Sequence, residues 1–159
     1  MLTLENLRRP NFKPEDFISS AKAAASLKDL DPSNDIDNTP NQNQLIAGMV
    51  LADKMQELRD KINLPIIISS GFRSAELNKA IGGAPSSWHM QFLACDFNIK
   101  GLDPYEAVLK IKESKISVDK CFVERNCVHI QTCMDESKNR NFFGTATKIN
   151  GKWVVTSNF

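Results

Sequence analysis

The sequence has little of several features that mark particular classes of protein. Its net charge is only +1, with 20 lysines and arginines against 19 aspartates and glutamates, so its charge gives no support for nucleic-acid binding. No apolar run approaches the roughly 18 to 20 residues of a membrane-spanning helix. The four cysteines include no CxxC pair and do not form a disulfide scaffold. We therefore expect reduced thiols and neither a nucleic-acid nor a membrane partner.

The amino terminus also has little that resembles a secretory signal. Arg8 and Arg9 are not followed by the apolar segment that a cleavable signal peptide requires. We therefore expect the protein to be made in the cytoplasm without a signal peptide. With 42% hydrophobic and 25% charged residues, the composition is that of an ordinary globular protein. At this length we expect residues 1–159 to form a single domain and to be monomeric.

Hydrophobic spacing and capping residues predict the helices. Over 44–63 apolar residues recur every three or four positions, which indicates an amphipathic helix. The pair Asp103 and Pro104 provides a cap and a first helical residue, so a second helix is expected over 105–115. A third can form over 13–27. It leads into 29–43, which is rich in Asp, Asn, Pro and Ser and is predicted to be a polar surface loop.

Short β-branched or alternating segments predict strands, at 66–68, 93–99, 118–124, 127–133, 143–149 and 153–156. The three isoleucines of 66–68 are typical of a buried strand. Ser74 can cap a short helix through Ala80. Asn150 and Gly151 predict a hairpin turn between the last two strands. Because helices come first and strands last, we expect an α+β fold with a mainly antiparallel sheet and helices packed on one side.

The chain has only two histidines, and both lie beside predicted strands. His89 precedes Asp96, which begins one strand, and His129 lies in the middle of another. Two imidazoles and one carboxylate are a suitable set of three protein ligands for a catalytic zinc ion, with water in the fourth position. The residues alone leave another interpretation open. In it, His89 caps a turn, Asp96 pairs with a lysine and His129 packs on a strand face.

Three motifs surround these residues in a fixed order. They are Ser69-Ser70-Gly71-Phe72-Arg73-Ser74, the segment from Ser87-Trp88-His89 to Ala94-Cys95-Asp96, and Val128-His129-Ile130. In this order they resemble the zinc D-alanyl-D-alanine peptidases, which include bacterial carboxypeptidases, VanY-like enzymes and phage murein endopeptidases. The resemblance extends over most of the chain. It implies the α+β zinc fold of D-Ala-D-Ala peptidases and hedgehog-type domains.

The resemblance also implies roles for individual residues. It makes His89, Asp96 and His129 the ligands of Zn²⁺. Arg73 would hold the substrate's carboxylate or polarise its scissile carbonyl, a role that suits a planar guanidinium; a surface ion pair is the alternative. Ser87 would bond the substrate backbone or orient a ligand, and a cap on a helix or turn is its alternative.

The general base is where the sequence departs most from the family pattern. In several relatives an acid stands three positions before the last histidine, and here that position is Asn126, whose amide cannot accept and return a proton. Glu124 is the nearest carboxylate, and we take it as the catalytic base. Asp119 is the alternative candidate, and Glu124 can also be a simple surface residue.

Three further positions depart from the family pattern. Phe92 stands where the family has a glycine, which normally allows a close approach or an unusual backbone dihedral. Trp88 replaces a common glutamine, and Cys127 replaces an aromatic residue. Strand alternation places Cys127 on the same face as His129, either near the metal or as a small buried hydrophobe.

Together these features predict a zinc-dependent peptidoglycan peptidase. It would cut a peptide bond next to a D-amino acid in murein stem peptides or cross-bridges. By analogy we expect a phage-type lysis or virion enzyme that acts at the cell wall or in the periplasm after release. Asn126 and Phe92 leave an alternative, a non-catalytic homologue that serves as a structural or binding component of a particle. A zinc peptidase with a substrate outside the wall is a third interpretation.

Overall fold

The computed structural model describes residues 1–20, 26–29, 33 and 35–159, and within these residues six strands form one sheet. The strands are β1 (Ile66–Ser70), β2 (Ala94–Ile99), β3 (Lys120–Glu124), β4 (Cys127–Gln131), β5 (Phe142–Ile149) and β6 (Lys152–Thr156). Their order in the sheet is β1-β2-β4-β3-β5-β6. Neighbouring strands are antiparallel except β3 and β5, which run parallel. The α+β class and the mainly antiparallel sheet are therefore confirmed.

The α-helices with defined bounds are α1 (Pro14–Phe17), α2 (Gln42–Ile62), α3 (Ala75–Ala80) and α4 (Pro104–Glu113), and residues 26–29 are also helical. The predicted helix over 44–63 is confirmed as α2. It begins slightly earlier because the side chain of Asn41 accepts a hydrogen bond from the backbone N–H of Gln44. The helix predicted after Asp103 is confirmed as α4, and Ser74 caps α3. None of the helices in the described ranges has the length and apolar character needed to cross a bilayer.

The two faces of the sheet differ in what they carry. On one face, α4 packs against β2, β3, β4 and β5 through Ala107, Val108 and Ile111. Five side chains of the central strands that point to this face are fully buried: Cys95, Phe97, Cys121, Val128 and Ile130. Because side chains alternate along a strand, their neighbours Asp96 and His129 point to the opposite face. The hydrophobic core therefore packs against one face of the sheet, and the polar side chains of Asp96 and His129 lie on the other face.

The helix predicted over 13–27 is not continuous: 14–17 are helical, 18–20 form a turn, and 26–29 are helical again. The capping residues Lys13 and Asp16 start α1, which ends at Phe17. The carbonyl oxygen of Phe17 accepts a hydrogen bond from the backbone N–H of Phe72 at 2.8 Å, and it is therefore not free to continue the helix. This contact instead joins α1 to the segment that follows β1.

Two predictions fall partly outside the described residues. The helix over 13–27 includes 21–25, and the polar loop over 29–43 includes 30–32 and 34. In the described remainder of that loop, residue 29 is helical, 33 lies in a turn, 35–41 have no regular structure, and the last two residues already belong to α2.

The strand at 66–68 is present as part of β1, but it is not a buried strand. Ile67 is 61% exposed because β1 lies at the edge of the sheet and only one of its faces is covered. The remaining predicted strands are confirmed with small differences at their ends. Asn150 and Gly151 form the turn between β5 and β6, with φ of 49° and 77°.

Candidate metal centre

Three side chains converge on the polar face of the sheet. Asp96 in β2 and His129 in β4 are direct cross-strand partners, so their side chains point to the same face. His89 comes from a short 3₁₀-helix, Trp88–Gln91, that precedes β2. The ligand atoms of these three buried residues all lie within 4.8 Å of one another. In the described part of the chain, this is the only such group of histidine, cysteine and acidic side chains.

The backbone determines which nitrogen of His89 faces the centre. Its Nδ1 lies 2.8 Å from the carbonyl oxygen of Gly71. A carbonyl oxygen can only accept, so Nδ1 carries the proton and Nε2 is left with a free electron pair. Nε2 lies 3.3 Å from Oδ1 of Asp96. Gly71 also allows the backbone of Phe17 to pass close by, because a Cβ on residue 71 would overlap the carbonyl oxygen of Phe17.

A neighbouring glutamine determines the tautomer of His129. Gln131 donates from its Nε2 to Oδ2 of Asp119 at 2.7 Å, which turns its Oε1 toward His129. Oε1 lies 3.1 Å from Nε2 of His129, so this nitrogen carries the proton. Nδ1 of His129 is then the nitrogen with a free electron pair, 2.9 Å from Oδ1 of Asp96.

Asp119 lies behind this glutamine and is almost fully buried. Arg140 donates to both of its carboxylate oxygens, from Nε and Nη2, each at 2.7 Å. Burial raises the pKa of the Asp119 carboxyl, but the hydrogen bonds from Arg140 and Gln131 outweigh burial and lower it. With both oxygens bonded in this way, Asp119 is poorly placed to exchange protons with a substrate in the cleft.

The electrostatics of the three converging residues are strongly coupled. Burial opposes ionisation of Asp96, but the adjacent His89 and His129 outweigh it and hold the pKa of its carboxyl well below its usual range. Burial lowers the pKa of His89. Burial acts in the same direction on His129, but the protonated imidazole gains a hydrogen bond from Nδ1 to Asp96 and a charge interaction with it, and these raise the pKa of His129. The carboxylate is therefore ionised and available as a ligand.

This donor set fits a zinc ion. Nε2 of His89, Nδ1 of His129 and the carboxylate of Asp96 face one another, and each imidazole uses its other nitrogen to donate to a carbonyl oxygen. Two histidines and one carboxylate are a common set for catalytic zinc, and such outer hydrogen bonds orient the rings of metal-binding histidines. The three residues could therefore hold Zn²⁺ without a change of rotamer or tautomer.

We expect Gln131→Ala to weaken zinc binding by roughly 10- to 100-fold, because His129 would lose the acceptor that fixes its tautomer. Competition with a chromogenic chelator measures the affinity. Gln56→Ala, in α2 and outside the lining of the cleft, is the matched control and should leave the affinity unchanged. Equal affinities for Gln131→Ala and the unmodified protein would contradict this role.

A cleft of about 500 Å³ opens onto the converging residues. Its lining includes Arg73 and Ser87, the two residues that the sequence assigns to the substrate. Arg73 donates from Nη2 to Oδ2 of Asp96 at 3.2 Å, and its ion pair is mostly buried rather than on the surface. The hydroxyl of Ser87 accepts a hydrogen bond from the backbone N–H of His89 at 3.3 Å. Ser87 thus caps the short helix that carries His89, and the roles of both residues toward a substrate stay predictions.

Glu124 also lines the cleft, at the end of β3. Its Oε2 lies 4.0 Å from Nδ1 of His129. Asn126 is exposed in the turn that follows. Cys127 is the cross-strand partner of Glu124, and burial raises the pKa of its thiol to about 12, so the sulfur is neutral near pH 7. The structure thus places a carboxylate, not the Asn126 amide, beside His129.

Phe92 has the left-handed backbone that a glycine would favour, with φ of 61° and ψ of 31°. Its ring is fully buried and stacks on Phe72, with 5.1 Å between the ring centroids. A residue with a Cβ is strained in this conformation by roughly 1–2 kcal/mol. Burial of the ring offsets that strain, so the replacement of the family's glycine preserves the backbone around His89.

We expect Phe92→Gly to lower the free energy of unfolding by about 2–4 kcal/mol. Loss of a buried ring costs about 3–5 kcal/mol, and relief of the backbone strain returns only part of it. Urea unfolding followed by circular dichroism measures the change. A variant as stable as the unmodified protein would show that strain and ring burial cancel.

The sequence motifs assigned no role to some residues around the centre. Gln131 could have been found, because alternation along β4 places it on the same face as His129. No pattern in the sequence points to the carbonyl of Gly71 or to Trp153 in the lining of the cleft, since both depend on contacts between distant parts of the chain.

Comparison with known proteins places the chain in a family. The family model described as Peptidase M15 matches residues 10–131, which contain the three converging residues together with Arg73 and Glu124. No curated protein matches the chain significantly. Since the match covers well over half of the sequence, the chain belongs to the Peptidase M15 family, the zinc D-alanyl-D-alanine carboxypeptidase and VanY-like family that its motifs resemble.

Proposed function

We propose that this protein is a zinc-dependent peptidoglycan peptidase that hydrolyses a peptide bond next to a D-amino acid in murein stem peptides or cross-bridges. The observation that carries the proposal is the convergence of His89, Asp96 and His129 on a cleft, in a chain of the Peptidase M15 family. These three residues would hold the zinc ion. When bound, zinc supplies Lewis acidity toward a peptide carbonyl and an activated water molecule.

Glu124 is the proposed general base. Its carboxylate lines the cleft and lies near His129, on the side of the centre that a substrate can reach. Oε2 of Glu124 takes a proton from the attacking water and returns it to the nitrogen of the leaving amine. Its position supports an active enzyme over a non-catalytic homologue, because the carboxylate missing at Asn126 is supplied from two residues earlier.

Arg73 is the proposed group that positions the substrate. Three of its nitrogens donate to protein atoms: Nε to Ser70, Nη1 to Asn78 and Nη2 to Asp96. A guanidinium has five N–H donors, so the second hydrogens of Nη1 and Nη2 remain for a carboxylate or carbonyl of the substrate. Because these contacts fix the side chain before substrate binds, little reorganisation is needed at the moment of reaction.

We also propose that the activity serves phage-type lysis or a virion, and that the protein acts at the cell wall or in the periplasm after release. The resemblance of the motifs to phage murein endopeptidases supports this part of the proposal. The proposed partners are accordingly peptidoglycan peptides.

Digestion of purified sacculi tests the proposed function. Zinc content is first measured by mass spectrometry, and the fragments released from sacculi are then identified by liquid chromatography and mass spectrometry. We expect about one zinc ion per chain and fragments with a cleaved bond next to a D-amino acid. Stoichiometric zinc without any released fragment would contradict a wall peptidase, and cleavage of other peptides only would indicate a substrate outside the wall.

A further inference from the structure

The cleft extends from the candidate metal centre onto the hairpin formed by β5 and β6. Ala146, Trp153 and Val155 line this part of it. All three lie after residue 131, where the match to the family model ends. β5 joins the sheet by pairing in parallel with β3, which places Ala146 beside Glu124. The hairpin therefore adds to the cleft a surface that the family motifs do not specify.

Arg125 and Trp153 form a pair at this end of the cleft. The guanidinium of Arg125 lies 5.4 Å from the centroid of the Trp153 ring, within the range of a cation–π interaction. Arg125 lies in the turn between β3 and β4, directly after Glu124, with φ of 54°. Left-handed backbone is unfavourable for arginine, and such strain is frequent near functional sites. The indole thus covers one face of the guanidinium, and the N–H groups at the edge of the guanidinium stay available for hydrogen bonds.

Arg125 has no acidic hydrogen-bond or ion-pair partner in the described part of the chain. The acidic residues that line the cleft are Asp96 and Glu124, which belong to the candidate metal centre. The guanidinium of Arg125 is therefore available to bind an anionic group of a ligand.

We propose that Arg125 and Trp153 form a subsite for a carboxylate-bearing residue of the peptide substrate, away from the bond that is cut. This inference rests on the proposed function. The edge of the guanidinium makes paired hydrogen bonds to a carboxylate, a geometry that lysine cannot reproduce. The indole offers apolar surface to the methylene groups next to that carboxylate. Binding there places the peptide across the metal centre and so contributes to its orientation.

Peptides that differ only in charge test the subsite. The probes are a synthetic stem peptide containing γ-D-glutamate and diaminopimelate, and two analogues in which one carboxylate of either residue is a carboxamide. We expect the zinc-loaded protein to bind and cut one of the two analogues about 10- to 100-fold less well than the parent peptide. A decrease of this size corresponds to the loss of one hydrogen bond to a charged group. Equal kcat/KM and Kd values for all three peptides would overturn the subsite.

The variants separate the guanidinium from the fold of the turn. Arg125→Gly removes the side chain but accepts positive φ without strain, so the turn should persist. We expect this variant, and to a lesser degree Trp153→Leu, to lose the discrimination between parent and analogue. Lys152→Ala is the matched control, because Lys152 neighbours Trp153 in β6 and points to the opposite face. If Arg125→Gly still discriminates between the parent peptide and the analogue, residues other than Arg125 recognise the carboxylate.

Titration calorimetry keeps this test separate from that of the proposed function. It measures Kd for the same three peptides whether or not they are cut. Loss of hydrolysis with preserved, Arg125-dependent discrimination in Kd would contradict the peptidase and leave the subsite supported. Hydrolysis without discrimination would contradict the subsite alone.

Discussion

Replacement of His129 by alanine is expected to abolish both zinc binding and peptide hydrolysis. His129 would supply one of three ligand atoms, and its loss leaves only His89 and Asp96 to hold the ion. Zinc affinity should therefore fall by more than the roughly 10- to 100-fold expected for loss of an outer hydrogen-bond partner. Metal content after gel filtration and fragment release from sacculi measure the two effects, with circular dichroism to show that the variant is folded.

Cys127→Ala provides the matched control for this variant. Cys127 lies on the same strand and the same face as His129, but its neutral thiol donates to the backbone carbonyl of Glu124 at 3.2 Å. We expect the alanine variant to retain full zinc content. Zinc loss as severe as in His129→Ala would make Cys127 a ligand and would contradict the proposed donor set.

Glu124→Gln is expected to lower kcat by about 10²- to 10⁴-fold while zinc content stays unchanged. The amide keeps the size of the side chain but cannot accept the proton of the attacking water. Steady-state hydrolysis of a stem peptide by the zinc-loaded variant measures the effect. Glu113→Gln, at the exposed end of α4, is the control and should retain the unmodified rate.

Full activity in Glu124→Gln would show that a group other than Glu124 is the general base. Asp119 would be a poor replacement, since Arg140 and Gln131 occupy its oxygens. A functional group on the substrate would then be the more direct source of the base.

The parts of the fold that the sequence predicted are those set by local chemistry. Ser74 and Asp103 cap α3 and α4 with their own side chains, and Asn150 and Gly151 suit the tight turn that they form. The errors arose where distant contacts decide. The exposure of Ile67 follows from the edge position of β1, and the end of α1 follows from the bond between Phe17 and Phe72.

The same distinction applies to the site. The sequence predicts the three metal ligands, His89, Asp96 and His129, because their residue types and the motifs around them are rare in combination. The fold brings their ligand atoms within 4.8 Å of one another. The contact of Gln131 with Asp119 and the place of Trp153 in the cleft depend on side-chain packing between strands. No spacing in the sequence encodes those contacts.

Anomalous diffraction from crystals of the zinc-loaded protein, recorded at the zinc absorption edge, tests the central claim most directly. The account predicts one peak about 2.0–2.2 Å from Nε2 of His89, Nδ1 of His129 and the carboxylate of Asp96. A peak at other residues, or none at these three in protein that carries stoichiometric zinc, would contradict it.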